Sequence, residues 1–263
     1  MWLKKKKYLL ALLIVLFLSL PAWTADQQSK NDAGKGININ ALIAQAKQGD
    51  ADAQYALGNL YAREQGVKRD YMEAATWYRK AADQGNIYAQ NSLGALYENG
   101  QGVDLSYIEA AKWYRLAANQ GYTIAQANLG SLYENGKGVP RDYKMAYLMY
   151  QLGAIKGNLK AQVGLGNLYR MGNGVTQDTT QAIRWYRKAA DQNYPPAQYL
   201  LGVMYASDSN VATDYIQAYM WWKIAALNGH KESRYSLKKI ALLMDSAQIE
   251  EAERLAKQWK PKQ

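Results

Sequence analysis

The chain contains 263 residues, of which 49% are hydrophobic and 21% are charged, with no cysteine and a single histidine. This balance is typical of a folded chain rather than a disordered one, and the absence of cysteine excludes disulfides and thiolate metal sites. The formal net charge is +10, but no cluster of lysine and arginine follows the first residues. Nucleic-acid binding is therefore not expected, although a weak attraction to acidic membranes or wall polymers is compatible with this charge.

The first 22 residues have the pattern of a signal peptide. The lysines at Lys4 to Lys7 precede an apolar run of 13 residues from Tyr8 to Leu20, and small residues follow around Ala22. At roughly 1.5 Å per residue, this run is too short to cross a hydrocarbon core of roughly 30 Å. We therefore expect cleavage after Ala22 and an exported protein, periplasmic or secreted, with no remaining transmembrane span. Residues 23–37 are expected to be a flexible lead-in.

From residue 49 the chain repeats with a period of 36 residues and no insertion. Ala-Gln, Leu-Gly and Tyr recur at constant offsets, on one face of an α-helix, as at Gln54, Gly58 and Tyr61. A glycine inside a helix costs about 1 kcal/mol relative to alanine, so its recurrence predicts a close approach of paired helices there. We number the units one to five; they cover residues 49–84, 85–120, 121–156, 157–192 and 193–228, and a partial sixth covers 229–244.

The second half of each unit carries a second helical pattern. Its members in unit one are Ala74, Trp77, Tyr78, Ala81 and Ala82. A Gly-Val pair between the two halves, as at Gly66, can end the first helix, and Asp70 can cap the second. Each unit therefore predicts two antiparallel helices, and the helical spacing places the Trp-Tyr pairs in the core rather than in a ligand site.

The Ala-Gln, Leu-Gly and Leu-Tyr run, the Gly-Val loop and the Ala-x-x-Trp-Tyr-x-x-Ala-Ala helix resemble the Sel-like repeat family, a branch of the tetratricopeptide superfamily. The resemblance covers about residues 38–243. It implies an all-α, right-handed solenoid of antiparallel helical hairpins. Members of this family look like adaptor and scaffold proteins; bacterial members are often exported, and some are linked to host interaction or infection. Cysteine-rich members carry a disulfide in each repeat, and nothing of that subgroup applies to a chain without cysteine.

Both ends of the repeat array depart from the pattern as capping segments do. Residues 38–48 match the second half of a unit without its tryptophan, which predicts an N-terminal capping helix. Residues 245–263 are predicted to form a C-terminal capping helix, capped by Asp245 or Ser246, and a tail. Terminal repeats need a polar outer face, because a half-stacked unit would leave apolar surface in water.

Groups that could carry chemistry are scarce. A Ser-His-acid site would have to use His230, for which a surface position at a helix start is the simpler interpretation. Glu98 and Glu134 occupy the same position in adjacent units, and helices about 10 Å apart would make them a ladder rather than a catalytic pair. The loop glycines follow no predicted strand, so they are turn residues rather than a phosphate loop. The sequence therefore predicts no catalytic residue, no metal site and no cofactor.

The first helices of such a solenoid are expected to line a concave groove. Their positions opposite the repeated core vary from unit to unit, as any solvent-exposed positions would, but they include tyrosine and asparagine, which are adaptable contact residues. The 36-residue period also places Ala127 among these exposed first-helix positions. Acidic members precede basic ones along the chain, which favours a partner segment of mixed charge. We predict that the following residues, called the first-helix row, bind the partner: Asp52, Tyr55, Asn59, Tyr88, Asn91, Glu98, Ser131, Glu134, Lys160, Asn167, Arg170 and Tyr199.

The leading functional hypothesis is a monomeric, exported scaffold or adaptor that binds protein partners in this groove, in an envelope process or in host contact. An alternative is a periplasmic accessory factor that recognises peptidoglycan or a wall hydrolase. A third interpretation, an enzyme in its own right, lacks residues to carry it.

Overall fold

The computed structural model describes residues 38–208 and 210–262, so the predicted signal peptide and lead-in, residues 1–37, lie outside the described residues. The described residues form α-helices joined by short loops, with no β-strand among them. The helices, in chain order, are α1 Ile39–Lys47, α2 Ala51–Arg63, α3 Tyr71–Asp83, α4 Ile87–Asn99, α5 Tyr107–Asn119, α6 Thr123–Asn135, α7 Tyr143–Ile155, α8 Leu159–Met171, α9 Thr179–Asp191, α10 Pro195–Ser207, α11 Tyr215–Leu227, α12 Lys231–Ile240 and α13 Ser246–Gln258.

Most of the helices begin at a residue whose side chain caps free backbone N–H groups, and α6, α10 and α12 begin without such a cap. Asp70 caps α3, and its Oδ1 accepts hydrogen bonds from the backbone N–H groups of Met72 and Glu73 at 2.9 and 3.1 Å. At the other end of a first helix, Gly100 takes a left-handed conformation with φ of 63° and ends α4. These local signals confirm the predicted order of helix, short loop and helix in every unit.

The two helices of a unit pack closely at the repeated glycine. A Cβ placed on Gly58 would lie 2.5 Å from the ring of Tyr78 on the paired helix. The same conflict recurs at Gly94 against Tyr114 and at Gly166 against Tyr186, at 2.8 and 2.4 Å. The predicted close approach is confirmed, and its cause is the large ring that packs flat on the glycine backbone.

Adjacent units are joined by the repeated glutamine. The side-chain amide of Gln90 is buried on α4 and donates to the carbonyl of Ala82, near the end of α3, at 3.2 Å. Gln54, Gln126, Gln162 and Gln198 make the same bond to Ala46, Ala118, Ala154 and Ala190. Each of these carbonyls also accepts a backbone hydrogen bond from the turn after its helix, as Ala82 O does from Gly85 N at 3.0 Å. The glutamine adds a second bond to the same carbonyl, and this bond ties one unit to the next. The result is an all-α repeat solenoid.

The array ends on helices that differ from the units. At the N-terminus α1 packs on α2 and buries Ala46. At the C-terminus Asp245 forms a capping box with Gln248 at the start of α13. Helix α13 packs mainly against α11, where it buries Ala252 and Ala256.

Candidate functional site

The residues of the first-helix row all keep exposed surface, although to different degrees. Asp52, Tyr88 and Lys160 are exposed, and the other nine members are half-buried. Ala127, which the period also places among these positions, is fully buried in the core of unit three. The predicted exposure of Ala127 is wrong, because its side chain packs into the apolar cluster that contains Tyr150 and Leu165.

Contacts between neighbouring first helices connect the members of the row. Asn86 Nδ2 donates to Asp52 Oδ1 at 2.8 Å, and Lys160 Nζ donates to Asn128 Oδ1 at 2.9 Å. Asn128 Nδ2 in turn donates to Asn91 Oδ1 at 3.2 Å. The structure therefore brings Asn91 and Lys160 together through Asn128, a residue that the sequence analysis did not include in the row.

Aromatic rings form a second series of contacts at the N-terminal end of the row. The rings of Tyr55 and Tyr88 are stacked with centroids 5.7 Å apart, and Tyr122 meets Tyr88 edge-on at 5.4 Å. Rings at these separations attract one another and resist displacement. Tyr122 lies at the N-cap of α6, where units two and four have asparagine, and it extends the row by one ring.

The row is also held from beneath by buried tyrosines of the second helices. In units one and four the tyrosine hydroxyls of Tyr78 and Tyr186 donate to asparagine, with distances of 2.8 Å to Asn59 Oδ1 and 2.7 Å to Asn167 Oδ1. In units two and three the hydroxyls donate instead to glutamate, one helical turn further along. The two pairs are Tyr114 with Glu98 and Tyr150 with Glu134, each at 2.6 Å.

This alternation is visible in the sequence but was missed. Where the first acceptor position holds Ala95 or Ser131, the second position holds Glu98 or Glu134. A buried hydroxyl needs an acceptor, so the two positions vary together. In unit five neither of these two positions holds a side chain that could accept a hydrogen bond, and Trp222 replaces the tyrosine. The indole N–H of Trp222 donates instead to the backbone carbonyl of Tyr199 at 3.0 Å.

The environment of these tyrosines keeps their hydroxyls protonated. Burial raises the pKa of Tyr186 to about 12, although the Arg170 guanidinium opposes this rise. Burial also raises the pKa of Tyr114 and Tyr150, and the carboxylates of Glu98 and Glu134 raise it further. The hydroxyls therefore act as permanent donors at neutral pH and fix the orientation of the acceptors above them.

At its C-terminal end the row opens into an aromatic cavity of about 340 Å³. The ring of Tyr199 stacks on His230 with centroids 4.5 Å apart and lies 6.3 Å from the Trp222 ring. Tyr235 and Lys239 of α12 complete the wall, with the Lys239 ammonium 4.5 Å from the Tyr235 ring centroid.

His230 is not arranged for nucleophilic catalysis. The Oγ of the buried Ser233 and an oxygen of Glu232 both approach Nδ1 of His230, at 3.1 and 3.5 Å. A catalytic relay needs the serine and the acid on opposite nitrogens of the ring. The described part of the chain also holds no group of three histidine, aspartate or glutamate side chains that could bind a metal ion. Within residues 38–208 and 210–262, no helix has the length and apolar character needed to cross a bilayer.

The repeats match a known family. Five tandem matches to the Sel1 repeat cover residues 51–86, 87–122, 123–158, 159–194 and 195–230. The chain belongs to the Sel1 repeat family. Each matched Sel1 repeat begins two residues after the corresponding unit numbered above. Sel1 repeat proteins typically act as scaffolds for protein–protein interaction, and the Sel1 fold is generally non-catalytic.

Solved structures of Sel1 repeat proteins are similar to this chain. A protective antigen of uropathogenic Escherichia coli strains, which displays an SLR fold, is 32% identical with a TM-score of 0.71; the match covers 83% of this chain and 48% of the antigen. This chain thus spans about half the length of the antigen. A Sel1 repeat protein from Oxalobacter formigenes is 31% identical with a TM-score of 0.72, over 88% of this chain and 98% of that one.

More distant similarity extends to an immunity protein from Pseudomonas aeruginosa. It is 22% identical with a TM-score of 0.52, over 79% of this chain and 81% of that one, and it shows a shared fold alone. The search of curated proteins found no match.

Proposed function

We propose that this Sel1 repeat protein is an exported, non-catalytic scaffold that binds a segment of a partner protein along the first-helix row, in an envelope process or in host contact. The observation that carries the proposal is the series of tyrosine hydroxyls beneath the row, which hold its acceptors in four consecutive units. Side chains that are already held lose less entropy when a partner binds, so a row built in this way is suited to recognition.

The charges of the row indicate the kind of segment that would fit. Glu98 and Glu134 place carboxylates in units two and three, whereas Lys160 and Arg170 place cations in unit four. A segment with basic side chains followed by acidic ones would complement this order. The tyrosines at the two ends of the row, Tyr55 and Tyr199, supply the rigid aromatic surface on which interfaces concentrate their binding energy.

The proposal is tested by crosslinking followed by substitution. A photoreactive amino acid at positions 55, 91 and 167 should capture one partner in living cells, and purified partner should then bind the chain in solution. The triple variant Tyr55→Ala, Asn91→Ala and Asn167→Ala should weaken that affinity by about tenfold or more. Thermal unfolding of the variant shows whether it remains folded.

A matched control is available on the second helix of unit one. Glu73, Thr76 and Lys80 are exposed on α3, and their simultaneous change to alanine should leave affinity unchanged. The proposal is abandoned if the row variant binds as the wild type does, or if the control variant weakens binding equally.

Export and the class of partner are tested separately. Fractionation should place the chain in the periplasm or the medium, with Trp23 as the first residue if the signal peptide is removed after Ala22. Retention of full-length chain in the cytoplasm would contradict export. Binding to purified wall sacculi that the row variant abolishes, with no protein captured, would replace the protein partner by the wall-associated alternative.

A further inference from the structure

Helix α7, the second helix of unit three, carries an exposed apolar stripe. Leu148, Leu152 and Ile155 follow one another at spacings of four and three, with 43%, 42% and 70% of their surfaces exposed. Leu116 on α5 lies at the position equivalent to Leu152 in the preceding unit and is 41% exposed. Because residues three and four apart share a helix face, Leu148, Leu152 and Ile155 form one surface, which we call the α7 stripe.

The solenoid does not need apolar side chains at these positions. The positions equivalent to Leu148 and Leu152 hold Thr76 and Lys80 in unit one, and these residues are exposed. Unit four holds Arg184 and Lys188 there, also exposed. The same backbone therefore accepts polar residues in two other units, so the leucines of unit three need a different explanation.

Unit five shows how apolar residues at the positions equivalent to Leu148 and Leu152 are covered. There the equivalent residues are Met220 and Ile224, and they are buried, with 6% and 3% of their surfaces exposed. Both lie in one apolar cluster with Leu255, Ala256 and Trp259 of the C-terminal helix segment. In this chain, apolar residues at these two positions are thus covered by an amphipathic helix in unit five, whereas the α7 stripe has no such cover among the described residues.

A carboxylate of the covering helix completes the contact in unit five. Glu253 of α13 accepts from Lys223 Nζ at 2.6 Å and from the Tyr219 hydroxyl at 3.0 Å. The carboxylate of Glu253, beside the apolar face of α13, thus pairs with Lys223 and Tyr219, which lie beside the buried Met220 and Ile224 on α11. This gives the covering helix a defined orientation as well as an apolar contact.

The surroundings of the α7 stripe are basic. Helix α7 contains no acidic residue, and the nearest acids on the flanking helices are already paired. Glu109 lies 3.5 Å from Lys112, and Asp191 lies 3.0 Å from Arg187 and 2.9 Å from Lys262. Lys144 and Lys156 lie four residues from Leu148 and Leu152 on α7, and Arg184 and Lys188 occupy the positions on α9 equivalent to Leu148 and Leu152.

We propose that the α7 stripe is a docking site for an amphipathic helix of a partner protein, with acidic residues flanking its apolar side chains. The occupant lies across Leu148 and Leu152 as α13 lies across Met220 and Ile224, and its carboxylates face the surrounding cations. A second copy of this chain would bring like charges together. This site lies on the second helices and does not depend on the function proposed for the first-helix row.

The test uses a synthetic helical peptide with leucines at spacings of four and three and glutamates flanking them. This labelled peptide should bind the full chain, and hydrogen exchange should show protection of α7. The double variant Leu148→Thr and Leu152→Lys, which copies the residues of unit one, should weaken binding by about tenfold or more. Its thermal stability should match the wild type, because unit one folds with the same two residues.

Two controls make the result specific. Leu227 is 72% exposed on α11, so Leu227→Lys makes a similar chemical change elsewhere and should leave binding unchanged. A peptide with lysines in place of the glutamates should not bind. Equal binding of both peptides, no binding of either, or full binding by the double variant would each overturn the proposal.

Two other occupants of the α7 stripe, a second copy of the chain and a membrane surface, would give different results. Sedimentation that shows a dimer of the wild type but not of the double variant would assign the stripe to a second copy and overturn the proposal. Flotation of the wild type, but not of the double variant, with vesicles containing phosphatidylglycerol would assign it to a membrane surface and would also overturn it.

Discussion

Units one and four present an asparagine to the buried tyrosine, whereas units two and three present a glutamate. Both arrangements satisfy the hydroxyl, at distances between 2.6 and 2.8 Å, and both leave the helix pair in the same geometry. The fold therefore needs an acceptor above the tyrosine but not a particular one. The choice of acceptor decides the charge of the first-helix row, so the surface can be changed from neutral to acidic without changing the scaffold.

The largest effect is expected from removal of one of these tyrosines. The ring of Tyr150 lies against two glycines, Gly130 and Gly164, which have no side chains to fill the space that it would leave. Tyr150→Ala should lower the free energy of unfolding by about 3 to 5 kcal/mol, as measured by urea denaturation. Tyr235, which is 62% exposed, provides the control, and an equal loss for Tyr235→Ala would contradict this account.

A second test uses pH to compare Tyr186, which lies beside Arg170, with Tyr114 and Tyr150, which lie beside glutamates. A tyrosine whose pKa is raised by folding stabilises the protein below its unfolded pKa, and this contribution is lost as the pH rises toward the folded pKa. For Tyr186 the window runs from its ordinary pKa of 10.0 to about 12. Stability should therefore fall above pH 10.0, by about 1.4 kcal/mol per pH unit for each tyrosine that is ionised only in the unfolded state.

As the pH rises through and beyond that window, Tyr186 should ionise before Tyr114 and Tyr150. Arg170 opposes the rise in the pKa of Tyr186, whereas Glu98 and Glu134 add to the rise for Tyr114 and Tyr150. In a titration followed by the ultraviolet absorbance of tyrosinate, each variant should lack one ionisation step. The step that Tyr186→Phe removes should occur at a lower pH than the step that Tyr114→Phe removes. The comparison between units is weakened if both variants lose the same step.

The smallest effect is expected from an exchange of one acceptor for the other. The double variant Ala95→Asn and Glu98→Ala gives unit two the residues that unit one has at these positions, the acceptor Asn59 and Ala62. Its free energy of unfolding should stay within about 0.5 kcal/mol of the wild type, because the Tyr114 hydroxyl keeps an acceptor.

The single variant Glu98→Ala is the control for this exchange. It leaves the same hydroxyl without its acceptor, which should cost about 1 to 3 kcal/mol in thermal or urea unfolding. If the double variant were as unstable as the single one, asparagine could not replace glutamate in that unit.

Much of this architecture could be predicted from residue order. The period, the two helices of each unit, the loop glycines and the close approach at Gly58 all depend on local spacing and on the sizes of repeated residues. The first-helix row could be placed only approximately, because its limits depend on which neighbours cover each position. Ala127 is buried for that reason, and Asn128 and Tyr122 belong to the connected surface although their periodic positions did not place them in the row.

The sequence by itself determined the repeat and the all-α solenoid, because these follow from local helix chemistry repeated at a constant period. Only the tertiary structure decided that the buried tyrosines pair with acceptors on the first helices, and that α13 covers α11 while the α7 stripe stays open. Those features depend on contacts between side chains far apart in the chain. A constant period does not determine where the C-terminal helix packs on the array.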